Sequence, residues 1–304
     1  MSKKQNWVTM LTPFTQEGAV DYPAIDDLVE WYITKGIDGI FAVCQSSEMF
    51  FLTLEERLKT AKRVMDAVNA RIPVVVSGHI SSVFSEQIQE LREMAGIDAK
   101  AVVLVTNRLA EAEESDESWI ANARRVLEAI PEVKFGLYEC PYPYKRLLSE
   151  RVLRWCAKTG RFLFLKDTCC DLALLKRRIA ILQGTGLKLY NANSTTLLES
   201  LRAGADGFCG VMLNFHPDLY VYLLKHFEKD TKKVRLCQQF ATIASMIEKQ
   251  LYPVNAKYSL SLNGVKITNV SRACSAHLFT DTMKEEIKQL NLCWNTLKNL
   301  IEIG

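Results

Sequence analysis

The feature that most limits how this chain can fold is a repeated alternation. Short apolar, β-branched runs recur at intervals of roughly 20–35 residues, and each is followed by a segment of helical periodicity. The runs Trp7–Leu11, Ile37–Cys44, Val74–Gly78, Ala101–Thr106, Lys134–Tyr138, Phe162–Lys166, Leu187–Asn191 and Asp206–Val211 are the predicted strands. Most are apolar throughout, as expected of strands covered on both faces. Asp21 ahead of Tyr22-Pro23, the spacing Thr53-Leu54-Glu55-Glu56, and Ser115-Asp116-Glu117 mark helix starts. Gly36 and Gly160 fall where helices should end. Strand–helix units joined by right-handed crossovers close most simply into a TIM (β/α)8 barrel. A doubly wound open sheet is the competing topology, but the G-x-G-x-x-G fingerprint that often accompanies it is missing.

After about Asn214 the strand pattern stops. Pro217–Glu228, Thr231–Gln250, Asn255–Asn263 and Thr280–Glu302 read as helices. The expected organisation is a barrel over residues 1–225 and a C-terminal helical extension over 226–304, packed on the barrel or on a partner subunit. No linker rich in Gly, Ser or Pro separates the two.

Composition narrows the function. Thirty-eight Lys and Arg against 35 Asp and Glu leave a net charge of +3, too balanced to favour nucleic acid or a membrane surface. The start Met1-Ser2-Lys3-Lys4-Gln5-Asn6 is polar, and no run approaches the roughly 18 apolar residues of a membrane span. Nine cysteines without a C-x-x-C pair fit reduced thiols, and a cytoplasmic location is expected. Without H-E-x-x-H spacing, a P-loop or a flavin motif, neither a metal nor a cofactor is expected.

A barrel of this kind carries its chemistry at the carboxyl ends of its strands. Lys166 ends the run Phe162-Leu163-Phe164-Leu165-Lys166. Burial disfavours an ammonium ion, and a neutral amine can attack a carbonyl and form a Schiff base. The plainer alternative is a lysine that reaches out to solvent or pairs with Asp167. Tyr138 ends the preceding strand, where a phenol beside the lysine would carry protons; an ordinary rim tyrosine is the alternative. Gln45-Ser46-Ser47-Glu48 follow the second strand, and small hydroxyl residues in such a loop offer donors to a carboxylate.

In this combination the chain resembles the dihydrodipicolinate synthase / N-acetylneuraminate lyase family of class I pyruvate aldolases. The likeness runs through Val8-Thr9-Met10-Leu11-Thr12-Pro13-Phe14, then Gly39-Ile40-Phe41 to Glu48 and the helix after it. It continues through Tyr138 with Pro141, Lys166-Asp167-Thr168, Gly204-Ala205-Asp206-Gly207 and Tyr252-Pro253-Val254-Asn255-Ala256-Lys257. The resemblance implies an imine between Lys166 and pyruvate or a related 2-oxo acid, with its carboxylate on Ser46 and Ser47 and Tyr138 passing protons. The enamine that follows would add to an aldehyde, or form by cleavage in reverse. Gln45, Glu139, Thr168, Asn193 and Cys209 complete the expected substrate-binding set, with Cys140 and His79 as further candidates for the aldehyde half. A homodimer or homotetramer is also implied.

The departures from the family pattern are specific. Gln45 stands where a relay hydroxyl is usual, and Val105-Thr106-Asn107-Arg108-Leu109 carries no relay tyrosine. Pro143 occupies the place of the synthases' carboxylate-gripping arginine, with Lys145 and Arg146 slightly beyond it. Asn191-Ala192-Asn193-Ser194-Thr195 has no acidic group to hold a sialic acid. These substitutions weigh against both named activities, although Thr168 agrees with the lyases. A neutral or hydroxylated aldehyde, such as a deoxy-sugar-acid fragment, fits better. The alternatives are a Schiff-base dehydratase of a 2-oxo sugar acid, one of the two named activities, or a 2-oxo-acid sensor on an aldolase scaffold.

Overall fold

The structure is a computed structural model that describes residues 3–302. Met1 and Ser2 of the polar start, and the last two positions of the expected extension, lie outside the described residues. Eight parallel strands form a closed barrel: β1 (Gln5–Thr9), β2 (Gly39–Ala42), β3 (Val74–Val76), β4 (Ala101–Val105), β5 (Phe135–Tyr138), β6 (Phe162–Asp167), β7 (Lys188–Asn191) and β8 (Gly207–Phe208). Each pairs with the next in sequence, and β8 returns to β1. Every predicted apolar run overlaps a strand; β1 begins two residues before its run and β6 ends one residue after, but most strands are shorter than their runs. Apolar residues at the carboxyl ends leave the ladder and enter turns; Val211, for instance, begins a 3₁₀ turn.

Closure between β8 and β1 depends on a very close backbone approach. A Cβ at Gly207 would lie 1.9 Å from the Gln5 carbonyl oxygen, so only glycine fits that position. Inside the barrel, the rings of Trp7, Phe164 and Tyr190 pack with centroids 6.0–6.1 Å apart. Phe164 lies two residues before Lys166, and alternation along a strand puts both on the same face. The aromatic layer therefore forms the floor beneath the lysine.

Eight helices alternate with the strands: α1 (Tyr22–Thr34), α2 (Leu54–Val68), α3 (Phe84–Ala95), α4 (Asp116–Ala129), α5 (Glu150–Thr159), α6 (Leu172–Leu182), α7 (Leu197–Ala203) and α8 (Pro217–His226). The sequence signals act as anticipated. Asp21 caps α1, and Ser115 caps α4. Thr53 and Glu56 form a reciprocal capping box on α2, with bonds of 2.9 and 3.2 Å.

Three helices follow: α9 (Lys232–Ala244), α10 (Val254–Leu262) and α11 (Asp281–Leu300). The expected helix over Thr231–Gln250 is broken. It ends at Ala244, and Ser245–Lys249 form a 3₁₀ turn whose chain bends back over the barrel mouth. From α11, Trp294 Nε1 and Lys298 Nζ hold the Asp218 carboxylate of α8 at 3.1 and 2.9 Å. Among the described residues, no helix is long and apolar enough to cross a membrane.

Candidate active site

Strand register sets the centre of the site. Tyr138 is paired with Lys166 across β5 and β6, so phenol and amine reach the same level of the barrel. The Lys166 Nζ sits 4.2 Å from the centre of the Tyr138 ring and 5.9 Å from that of Phe41. Among the described residues, no carboxylate lies within ion-pair distance of this amine, and Asp167 is paired elsewhere. The amine faces a cavity of about 410 Å³ at the carboxyl end of the barrel. Gln45, Ser46, Tyr138, Thr168 and Asn193 line that cavity with it.

Gln45 joins the two neighbouring donors. Its Oε1 accepts from the Tyr138 hydroxyl and from the Cys140 thiol, each at 3.2 Å. Burial pushes the Tyr138 hydroxyl well above its ordinary value and the Cys140 thiol up to about 11, so both remain protonated near neutrality. An amide oxygen accepts hydrogen bonds but has no proton to pass on. The chain of hydrogen bonds from Tyr138 therefore ends at Gln45.

Several expected contacts are corrected by the structure. Ser47 does not line the cavity: its hydroxyl donates to the Met10 carbonyl at 2.6 Å and accepts from the Cys44 N–H at 3.1 Å. Those bonds shape the loop and leave Ser46 as the hydroxyl facing the space. Glu139 follows Tyr138 on an extended segment and turns to the opposite side. It is fully buried, accepts from the Leu148 N–H at 2.8 Å, and pairs with Arg178 of α6 at 2.9 Å. Arg178 also holds Asp167 at 2.5 Å, so one guanidinium ties the residues that follow Tyr138 and Lys166. Burial and the nearby Asp167 raise the Glu139 carboxyl, against the pull of Arg178.

Cys209 is buried and is not part of the lining; burial pushes its thiol up to about 12 while the Lys166 charge opposes that rise. Cys140 touches Gln45 but is likewise behind the surface. His79 does not reach the mouth either. It is buried, and its Nε2 accepts from the Val105 N–H at 2.5 Å.

The sequence reading also missed contributors. Lys145 lines the cavity and donates to the Thr168 carbonyl at 2.9 Å, whereas Arg146 is turned away onto the carbonyls of Ala112 and Glu114. Glu248 and Tyr252, from the turn after α9, also face the cavity. Reading that stretch as continuous helix hid its bend. The segment leads into α10, whose Asn255 Nδ2 donates to the Ile247 carbonyl at 2.8 Å and whose Lys257 pairs with the Glu48 carboxylate at 2.7 Å; that carboxylate also accepts from the Arg272 and Ala273 N–H groups at 2.7 and 2.9 Å. The outer half of the space thus holds a cation and a carboxylate, and is more charged than the side-chain types near the strand ends suggested.

The model of the dihydrodipicolinate synthetase family matches residues 3–291. The chain belongs to that family. Among relatives of the dihydrodipicolinate synthetase family, a 4-hydroxy-tetrahydrodipicolinate synthase of Coxiella burnetii is 28% identical over 215 residues, 70% of this chain and 71% of its own. One from Clostridium perfringens is 24% identical over 262 residues, 85% and 88% of the two chains. The solved dihydrodipicolinate synthase of Acinetobacter baumannii, complexed with pyruvate, superposes with a TM-score of 0.84 at 23% identity, covering 95% of this chain and 98% of its own. The prophage protein YagE from E. coli K12, also in complex with pyruvate, gives 0.84 at 22% identity, covering 97% and 98%. At these identities, structural likeness establishes the family barrel and not its substrate.

Two buried histidines predict an acid-sensitive fold for this family member. Burial pushes His79 down to about 3 and His216 down to about 4. Each is held neutral in the native state and takes up a proton more readily when unfolded. Their contribution is therefore complete above the unfolded value of about 6.5 and is lost as pH falls toward 3–4, at about 1.4 kcal/mol per pH unit for each. The raised Glu139 and Glu248 carboxyls act in the opposite sense over the same range, so the check compares variants: the urea midpoint of His216→Gln should fall less, or rise more, between pH 7 and pH 5 than that of wild type, and identical pH dependence would contradict this reading.

Proposed function

We propose that Lys166 forms a Schiff base with pyruvate or a related 2-oxo acid, and that the enzyme makes or breaks a carbon–carbon bond to an aldehyde. The observation that carries this reading is the Lys166 amine, without an ion-pair partner among the described residues, over the Tyr138 ring and facing the cavity at the carboxyl ends of the strands. Loss of a methyl proton from the imine gives an enamine, the nucleophile for the aldehyde. The Ser46 hydroxyl is the group offered to the 2-oxo acid's carboxylate. That solved relatives of this fold hold pyruvate supports the donor assignment.

The acceptor side favours a hydroxylated aldehyde such as a deoxy-sugar-acid fragment. Gln45, Thr168 and Asn193 supply hydrogen-bonding groups, and Lys145 provides a positive charge for an acidic end. Among the described residues, no guanidinium lines the cavity to grip an amino-acid semialdehyde: Pro143 replaces it in sequence and Arg146 is engaged elsewhere.

Incubation with pyruvate and borohydride tests the proposal. A reduced pyruvyl adduct should appear on the peptide containing Lys166. No adduct with pyruvate or any other small 2-oxo acid would reject it. The Tyr138–Gln45 bond favours one second reading, a 2-oxo-acid sensor, because the amide ends the proton path. An adduct without turnover across a panel of aldehydes and 2-oxo sugar acids would support the sensor; water loss with an intact carbon chain would instead mark a dehydratase.

A further inference from the structure

The described cavity lining contains two carboxylates, Glu48 and Glu248. They are in different states. Glu48 is committed to Lys257, Ser271 and the N–H groups of Arg272 and Ala273. Glu248 is half-buried and has no hydrogen-bond or ion-pair partner among the described residues. It is carried by the Ser245–Lys249 turn and lines the same cavity as Lys166.

We propose that Glu248 is the proton-transfer group of this site, taking a methyl proton from the imine and returning it in the reverse reaction. This rests on the Schiff-base reading above. In the forward step the C3–H bond breaks and its proton passes to the Glu248 carboxylate. The C–H electron pair becomes the C2=C3 bond, and the C2=N π pair of the protonated imine returns to the Lys166 nitrogen, leaving a neutral enamine. No oxidant, reductant or further reactant is needed.

Three observations converge on this residue. Tyr138 donates its proton to an amide that cannot relay it. The loop after β4 supplies no tyrosine, and its Asn107 is bonded to the carbonyls of Cys140 and Tyr142. Glu248 alone among the lining carboxylates retains a free oxygen pair. Burial also raises its carboxyl to about 7, partly offset by the Lys166 charge, which suits an acid–base group near neutrality. Among the described residues, the other ionisable groups facing this space are Lys166 from β6, Lys145 from the loop after β5, the Tyr138, Tyr142 and Tyr252 phenols, the Cys170 thiol and the committed Glu48.

Exchange of pyruvate's methyl protons in D₂O isolates this step without an aldehyde. The wild type should exchange them, with a rate that rises with pH and levels off above about 7 as the carboxylate ionises. Glu248→Gln should lose about 10²-fold or more of that exchange and its inflection, while still giving the borohydride adduct at Lys166. Glu248→Asp should retain an intermediate rate. Exchange by Glu248→Gln within about threefold of wild type, or survival of the inflection, would overturn the assignment. Absence of the adduct in the wild type would overturn the Schiff-base reading as well, so the two failures are distinct.

Discussion

Replacing Lys166 with alanine is expected to abolish the pyruvate adduct and lower turnover by about 10⁴-fold or more, because the variant has no other amine placed to form the imine. Lys145 also faces the cavity, but its Nζ is drawn to the Thr168 carbonyl at 2.9 Å and lies at the outer side. Lys166→Arg should not rescue activity, since a guanidinium is not deprotonated in proteins. The loss should not come from unfolding. Lys166 has no ion pair to break, so Lys166→Met, which keeps the apolar stem against Tyr138 and Phe41, should alter stability by no more than about 1–2 kcal/mol. Borohydride labelling, substrate turnover and a urea titration of the variants check the three statements. An adduct that persists in Lys166→Ala would remove the basis for the proposed chemistry.

Arg178→Met should be among the most destabilising single changes in the molecule, by about 3–5 kcal/mol. Arg178, Glu139 and Asp167 are all buried, and the guanidinium separates two carboxylates that otherwise face each other. Without it, one or both must be protonated or left as unpaired buried charge. The Glu139 carboxyl, already raised by burial, would then lose the Arg178 charge that holds it down, so the deficit should grow as pH rises from about 4 through 7. Adding Glu139→Gln and Asp167→Asn should recover part of the loss, because neutral amides remove the repulsion. Urea midpoints of the single and triple variants at two pH values measure this. A single variant as stable as wild type at pH 7 would contradict the reading. Because Glu139 and Asp167 adjoin Tyr138 and Lys166, the single variant should also weaken adduct formation.

The barrel was legible because its signals are local and redundant. Asp21, Thr53 and Ser115 announced helix starts, and each caps a helix as expected. Buried parallel strands leave continuous apolar runs, which alternation in the chain made plain. Lys166 and Tyr138 could be singled out as candidates for a related reason: a charged or phenolic residue ending such a run stands out. What sequence did not reveal was which way residues beyond the strand ends turn. Ser46 and Ser47 look equivalent, yet the Met10 carbonyl captures the second. Glu139 and Cys209 sit at the correct height but belong to the packing behind the surface. Glu248 was hidden because its position depends on a bend after Ala244 and on the distant Glu48–Lys257 pair. Neither is encoded by hydrophobic period.

The seat of Glu248 and Tyr252 on a segment outside the strand–helix repeat separates two evolutionary demands. Residues at the strand ends are constrained by barrel closure, by the aromatic floor and by the Arg178 cluster, so exchange there is costly. The arm runs on into α10, which Lys257 ties to Glu48, and Glu248 on it has no hydrogen-bond or ion-pair partner among the described residues. Changes confined to this segment can therefore alter one wall of the cavity while the residues at the strand ends stay in place.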